Sequence, residues 1–255
     1  MNDIQKLFSS STVDDDRIKH IDSLPEPRSR FLIAITPRSG SSYLCDVMTK
    51  IKLFGVPGEM INQQFIPEII KKIPGRTAEE YIRNVIRCRK TKNGISGLKA
   101  SWFQFRGFTE TMDDHSYMSG FKYIYLTRRD LSAQAISLYK ATETSVFHTN
   151  VQHSEEAITK LQSLQYDYEK IKEWYVHIDR QEKGWQEYFF KNRIFPLCIT
   201  YEEIDDDVFG VIKRIATFVG VEPNNVRMPE ESSVFERIRD QRNVEWAHRF
   251  SLEYS

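Results

Sequence analysis

The stretch FLIAITPRSGSSYLCDVM, Phe31 to Met48, runs apolar, turns through Pro-Arg-Ser-Gly-Ser-Ser, and then resumes apolar residues at helical spacing. A buried strand that enters a helix through a turn of small residues aims successive backbone N–H groups and the positive end of the helix dipole at one point. In that turn Gly40 lets the backbone approach a ligand closely, Ser39, Ser41 and Ser42 add hydroxyl donors, and Arg38 adds a fixed cation. The pattern reads as a seat for phosphate or sulfate. It lacks the second glycine and the lysine of the GxxxxGK[S/T] loop, and no Mg²⁺ hydroxyl stands in that frame. The same residues would also serve a plain strand–turn–helix joint with small side chains for packing.

Three further β-rich runs follow, GISGLKA (94–100), KYIYLTR (122–128) and IFPLCITYEE (194–203), with helical patterns between them. Continuous apolar strands alternating with helices predict an α/β fold, a parallel sheet flanked by helices. Helices are expected from Ser42 to Leu53, from Asp130 to Thr142, over one long amphipathic stretch that opens at Ser154 and runs past Ile178, and from about Asp206 to Val219, ending at Gly220. No repeat or linker divides the chain. Residues 29–255 therefore read as one domain behind a polar segment, 1–28, that is prone to fraying. The 36 basic and 36 acidic side chains balance, which argues against a broad nucleic-acid surface and makes any anion site a local one. Cys45, Cys88 and Cys198 are scattered without metal-ligand spacing, so they read as reduced thiols and no metal is expected. No apolar run approaches the roughly 20 residues of a transmembrane helix, and the N-terminus has no secretory pattern, so a cytoplasmic protein is expected.

The run YIYLTRRDLSAQAISLYK ends a strand on Arg128 and Arg129 and places Ser137 two turns into the next helix. Ligands of parallel sheets lie beyond the carboxyl ends of the strands, so these arginines should face the same cleft as the first turn. An arginine pair before a helix also serves as an ordinary surface ion-pairing group.

Taken in order with GVPGE, GLKASWFQ, QEKGW, ITYEE and DQRNVEW, these pieces resemble the sulfotransferases that use 3′-phosphoadenosine 5′-phosphosulfate (PAPS). More narrowly, the chain resembles the bacterial trehalose 2-sulfotransferase family from about residue 31 to residue 250. The resemblance implies a P-loop-like sulfotransferase fold in which Arg38, Ser39, Gly40, Ser41 and Ser42 hold the 5′-phosphosulfate. It implies that Arg128 and Ser137 grip the 3′-phosphate, with Arg239 and Arg242 of the tail as secondary contacts. Arg129 departs from the family, where proline often follows the arginine, and it could replace or assist Arg128. The family also suggests a homodimer.

Glu59, in FGVPGEMIN, matches the family's proposed general base. Independently, sulfuryl transfer to an alcohol needs a group to take the hydroxyl proton, and a carboxylate flanked by apolar residues can have its affinity for protons raised by desolvation. An ordinary loop glutamate after a Pro-Gly turn is the alternative. Met60-Ile61-Asn62 stands where the family usually has aromatic residues, so the acceptor pocket beside the base should differ. Lys99 and Trp102 match a family lysine and tryptophan. The cation could steady the sulfuryl oxygens, and the indole could stack on a sugar or adenine, or simply pack in the core. His148 and His153 could reach an acceptor but read better as surface residues.

The reaction implied is transfer of a sulfuryl group from PAPS to a hydroxyl of a carbohydrate or glycolipid, without a metal. Two rivals stay open: a P-loop kinase and a non-catalytic nucleotide or glycan binder. The missing GK[S/T] frame weighs against the first, and the joint presence of Glu59, Arg38, Arg128 and Ser137 weighs against the second.

Overall fold

The computed structural model describes residues 6, 8, 14–147, 154–231, 233 and 241–254. Four strands, β1 (Ser29–Ile35), β2 (Ile95–Ser101), β3 (Lys122–Thr127) and β4 (Leu197–Thr200), form one parallel sheet in the order β2-β1-β3-β4. The register pairs Ile35 with Ser101 and with Leu126, and Thr127 with Thr200, so the four carboxyl ends finish side by side. The chain goes from β1 to one neighbour and returns past β1 to the other. That reversal of direction opens a crevice beyond the end of β1.

Period-two alternation sorts the strand residues to two apolar cores. Leu32, Ala34, Leu98, Ala100 and Tyr123 face helices α3 (Ala78–Cys88), α4 (Trp102–Thr109) and the end of α7 (Tyr168–Lys191). Phe31, Ile33, Ile35, Ile124 and Leu126 face α2 (Ser41–Ile51) and α8 (Tyr201–Val219). Each of the buried leucine, isoleucine and phenylalanine side chains among them contributes about 1.5–3 kcal/mol relative to leaving it in water. A third cluster joins α5 (Leu131–Thr144), α7 and α9 (Gln241–Tyr254) through Ile136, Ile171, Ile178 and Phe250.

Three local readings of the sequence change. The fourth strand stops at Thr200, because Thr200 and Glu203 form a capping box that starts α8 at Tyr201. The helix expected from Asp206 is the second part of α8. Asp207 has non-helical angles, and its carboxylate accepts from the N–H of Gly210 at 2.8 Å. The long amphipathic stretch after Ser154 is two helices, α6 (Glu155–Ser163) and α7. Leu164 is extended, and Asp167 caps α7 by accepting from the N–H of Lys170.

Within the polar first 28 residues, α1 (Asp15–Ser23) is capped by Asp14 and buries Ile18 and Ile21. Arg87 of α3 pairs with Asp22 and, at 2.8 Å, with Glu26. Two apolar residues three apart suffice to seat this helix, where its many charges led us to expect fraying. Among the described residues no helix is long and apolar enough to cross a membrane.

Candidate active site

The β1–α2 turn enters the left-handed region at two points, with strain at Arg38 and none at Gly40. Arg38 adopts φ +66° and Gly40 φ +82°, with Ser39 between them on the ordinary side, an alternation that curls backbone N–H groups inward. At Gly40 a side chain is excluded twice over, by the positive φ and by Tyr201, whose ring carbon would lie 2.7 Å from an added Cβ. Gly40 is also the N-cap of α2 and offers no side-chain cap, so the first-turn N–H groups of Ser41 and Ser42 are left for a ligand or solvent.

Helix α5 holds this turn by one face. Gln134, fully buried, donates its amide to Thr36 Oγ1 at 2.8 Å and to the Pro37 carbonyl at 2.6 Å. Three residues on, Ser137 Oγ accepts from Arg38 Nε at 3.0 Å, and Arg38 Nη1 donates to the Phe147 carbonyl at 2.5 Å. Arg128, at the end of β3, lies over the Tyr201 ring with its guanidinium carbon 4.7 Å from the centroid, and its Nε is buried without a hydrogen-bond partner. Burial, and then the charge of Arg128, push the Arg38 guanidinium below its ordinary value, with Tyr201 acting in the opposite direction. Among the described residues neither arginine has a carboxylate partner. Two half-buried cations beside an open helix N-terminus leave a local positive field that an anion with two charged ends would neutralise.

The second half of the site lies at the end of β2. Lys99, almost fully buried, places Nζ 3.2 Å from Glu59 Oε1 and 3.3 Å from Ser42 Oγ. Its backbone N–H donates to the Gly58 carbonyl at 2.9 Å, which seats Glu59 against the sheet. Glu59 Oε2 accepts from Asn62 Nδ2 and from Gln104 Nε2, both at 2.9 Å. Burial alone would raise the affinity of this carboxylate for a proton, but Lys99 and the two amides outweigh it and hold Glu59 below the ordinary carboxylate range. This reverses the upward shift expected from its apolar neighbours.

The model of the Stf0 sulphotransferase family matches residues 30–253. The chain belongs to this family. It is 22% identical over 261 residues to the trehalose 2-sulfotransferase of Mycolicibacterium smegmatis, covering 86% of this chain and 93% of that one. It is 20% identical over 263 residues to the trehalose 2-sulfotransferase of Mycobacterium tuberculosis, covering 88% and 94%. Among solved structures, a sulfotransferase from Alicyclobacillus acidocaldarius superposes with a TM-score of 0.50 at 16% identity, over 89% of this chain and 92% of that one, a likeness of fold.

In this Stf0 sulfotransferase the residues singled out in the sequence fall into three groups. Arg38, Ser39, Gly40, Ser41, Ser42, Arg128 and Ser137 converge on the turn, and Glu59 and Lys99 sit beside it. Arg129 is exposed, and its backbone N–H donates to the Glu202 carboxylate at 3.2 Å. Arg242 donates to the carbonyls of Gln162 and Leu161, at 2.9 and 3.3 Å, and so caps the C-terminal end of α6. Arg239, His148 and His153 lie outside the described residues. Trp102 packs edge-on against Trp185, with ring centroids 5.3 Å apart, and rests on Gly184. Met60 and Ile61 enter the core beside α3, so of the divergent triplet only Asn62 reaches the base.

Three residues with clear parts in this site are not marked by the sequence reading: Gln134, Tyr201 and Gln104. Gln134 stood one turn before Ser137, and Gln104 two positions after Trp102, but neither spacing names its partner. Next to Gln104, Phe103 lines a cavity of about 400 Å³ together with Lys172, Val176, His177 and Arg180 of α7. Among the described residues no three His, Cys, Asp or Glu side chains gather to hold a metal ion.

Proposed function

We propose that this Stf0 sulfotransferase moves a sulfuryl group from PAPS to a hydroxyl of a neutral saccharide or of a lipid that carries one. The observation that carries the reading is the pair Arg38 and Arg128, two cations without carboxylate partners among the described residues, the first bonded to Ser137 and the second lying over the Tyr201 ring that closes on Gly40 at the open N-terminus of α2. PAPS has two anionic ends, and these residues fit it. Arg38, the turn N–H groups and the Ser41 and Ser42 hydroxyls would hold the 5′-phosphosulfate, while Arg128 and Ser137 would hold the 3′-phosphate. Gln134 keeps the turn in its strained shape.

Glu59 would take the proton of the acceptor hydroxyl as its oxygen attacks sulfur in line. Arg38 and the turn donors would stabilise the charge that develops on the phosphate oxygen as it leaves. The saccharide acceptor is supported by the trehalose 2-sulfotransferases that the chain resembles. The reading takes residues 29–255 as one catalytic domain and carries with it the homodimer suggested by the family resemblance and a cytoplasmic location. Incubation with PAPS and a panel of neutral sugars, read by mass spectrometry for a sulfated product, tests it. Transfer to phenols or tyrosine, with none to any sugar, would overturn the acceptor class.

A further inference from the structure

Lys99 holds the base and the donor turn at once. Its ammonium lies 3.2 Å from Glu59 Oε1 and 3.3 Å from Ser42 Oγ, in the first turn of α2. Glu59 Oε2 is taken by two amide donors, Asn62 Nδ2 and Gln104 Nε2, at 2.9 Å each. The oxygen that the amides leave available is therefore the one that the ammonium covers. A hydroxyl proton bound for Oε1 therefore meets the charge of the Lys99 ammonium beside it, which lowers that oxygen's affinity for protons until Lys99 moves. An ammonium on a four-carbon stem has three donors and can change partner by small rotations. Ser42 belongs to the turn that would seat the phosphosulfate, so oxygens bound there come within reach of Lys99.

We propose that Lys99 makes the base depend on the donor: it turns from Glu59 Oε1 to the sulfuryl oxygens at the turn, while Asn62 and Gln104 keep Oε2 in place. This rests on the proposed function. Once the ammonium has moved, burial is opposed by the two amides alone, and Glu59 becomes a better proton acceptor only beside a seated sulfuryl group. In the step itself the acceptor oxygen forms its bond to sulfur as the bond from sulfur to the 5′-phosphate oxygen breaks. That phosphate oxygen keeps the electron pair, and the hydroxyl proton passes to Oε1.

The other groups around the carboxylate do not take over from Lys99. On α2, burial pushes the Cys45 thiol up to about 11, so it is neutral. Asp46 is engaged by Lys50 at 3.0 Å and by Ser233 at 2.7 Å. Arg89, near Gly58, donates its Nε to the Val56 carbonyl at 2.9 Å. Among the described residues Lys99 is the cation in contact with Glu59.

The test is an NMR titration of the Glu59 carboxyl carbon, its signal assigned by its disappearance in Glu59→Gln. The protein is titrated alone, with 3′,5′-ADP, which has no sulfuryl group, and with PAPS. The expected midpoint lies below the ordinary glutamate value of about 4.3 in the first two cases and rises with PAPS. In Lys99→Met the midpoint should be raised from the start and should not respond to PAPS. A midpoint unmoved by PAPS, or moved equally by 3′,5′-ADP, would overturn the inference, and these arms need no variant to fold. If neither nucleotide shifts any resonance of the protein, the donor assignment itself falls, and this inference with it.

Discussion

Arg38 Nε donates to Ser137 Oγ at 3.0 Å, so the arginine of the β1–α2 turn and the serine of α5 act as one unit. The two anion seats assigned to the donor are thus in contact, across a separation of 99 residues in the chain.

That contact predicts how the nucleotides rank. A ligand with both phosphates, 3′,5′-ADP, should bind more tightly than 5′-AMP. Charge-assisted hydrogen bonds contribute roughly 1.5–3 kcal/mol each, so the gap should be about one to two decades. Arg128→Ala should shrink the gap, Arg38→Ala should weaken both ligands together, and Arg129→Ala should leave both nearly unchanged. Isothermal titration of the parent and the three variants decides it. Equal affinity of the parent for both nucleotides would count against the second seat.

Glu59→Gln should lower kcat by about a hundredfold or more while the dissociation constant of 3′,5′-ADP stays nearly the same, because in the proposed reaction the carboxylate meets the acceptor and not the nucleotide. Steady-state kinetics beside nucleotide titration separate the two quantities. Near-normal turnover would remove Glu59 from the proton transfer.

Gln134→Leu tests the support of the turn. It leaves Thr36 Oγ1 and the Pro37 carbonyl without their buried donor, a loss of about 1–3 kcal/mol that denaturant unfolding should register. The turn that Gln134 anchors carries Arg38, so 3′,5′-ADP and 5′-AMP should weaken in parallel. A loss confined to one nucleotide would place Gln134 at a phosphate and not behind the turn.

Much of this architecture was legible in the sequence because it rests on local rules. Apolar runs of strand length, the small-residue turn at Ser39 to Ser42 and the arginine–helix–serine element each announce themselves within a few residues. The site's supports follow no such rule. Gln134, Gln104 and Tyr201 acquire their roles from partners 97, 45 and, at Gly40, 161 residues away, which only the parallel register brings together. The direction of the Glu59 shift was misjudged for the same reason. Its apolar neighbours are adjacent in sequence, whereas two of the three groups that outweigh them come from β2 and α4.

The acid response of stability tests that direction. Burial pushes Glu59 up, but Lys99, Asn62 and Gln104 pull it further down, so its folded value lies below its unfolded one. A group shifted this way stabilises the fold at pH above its unfolded value, about 4.3, and that contribution fades as pH falls through the folded value. Glu79 and Glu203 are lowered too and give the parent protein an acid loss of the same sign. The difference between parent and Glu59→Gln removes their part. Urea unfolding of both proteins should show the parent more stable by a constant margin near neutral pH, and that margin should shrink below about pH 4.3. A margin that grew on acidification would mean that Glu59 is raised in the fold, and that Lys99 does not govern it.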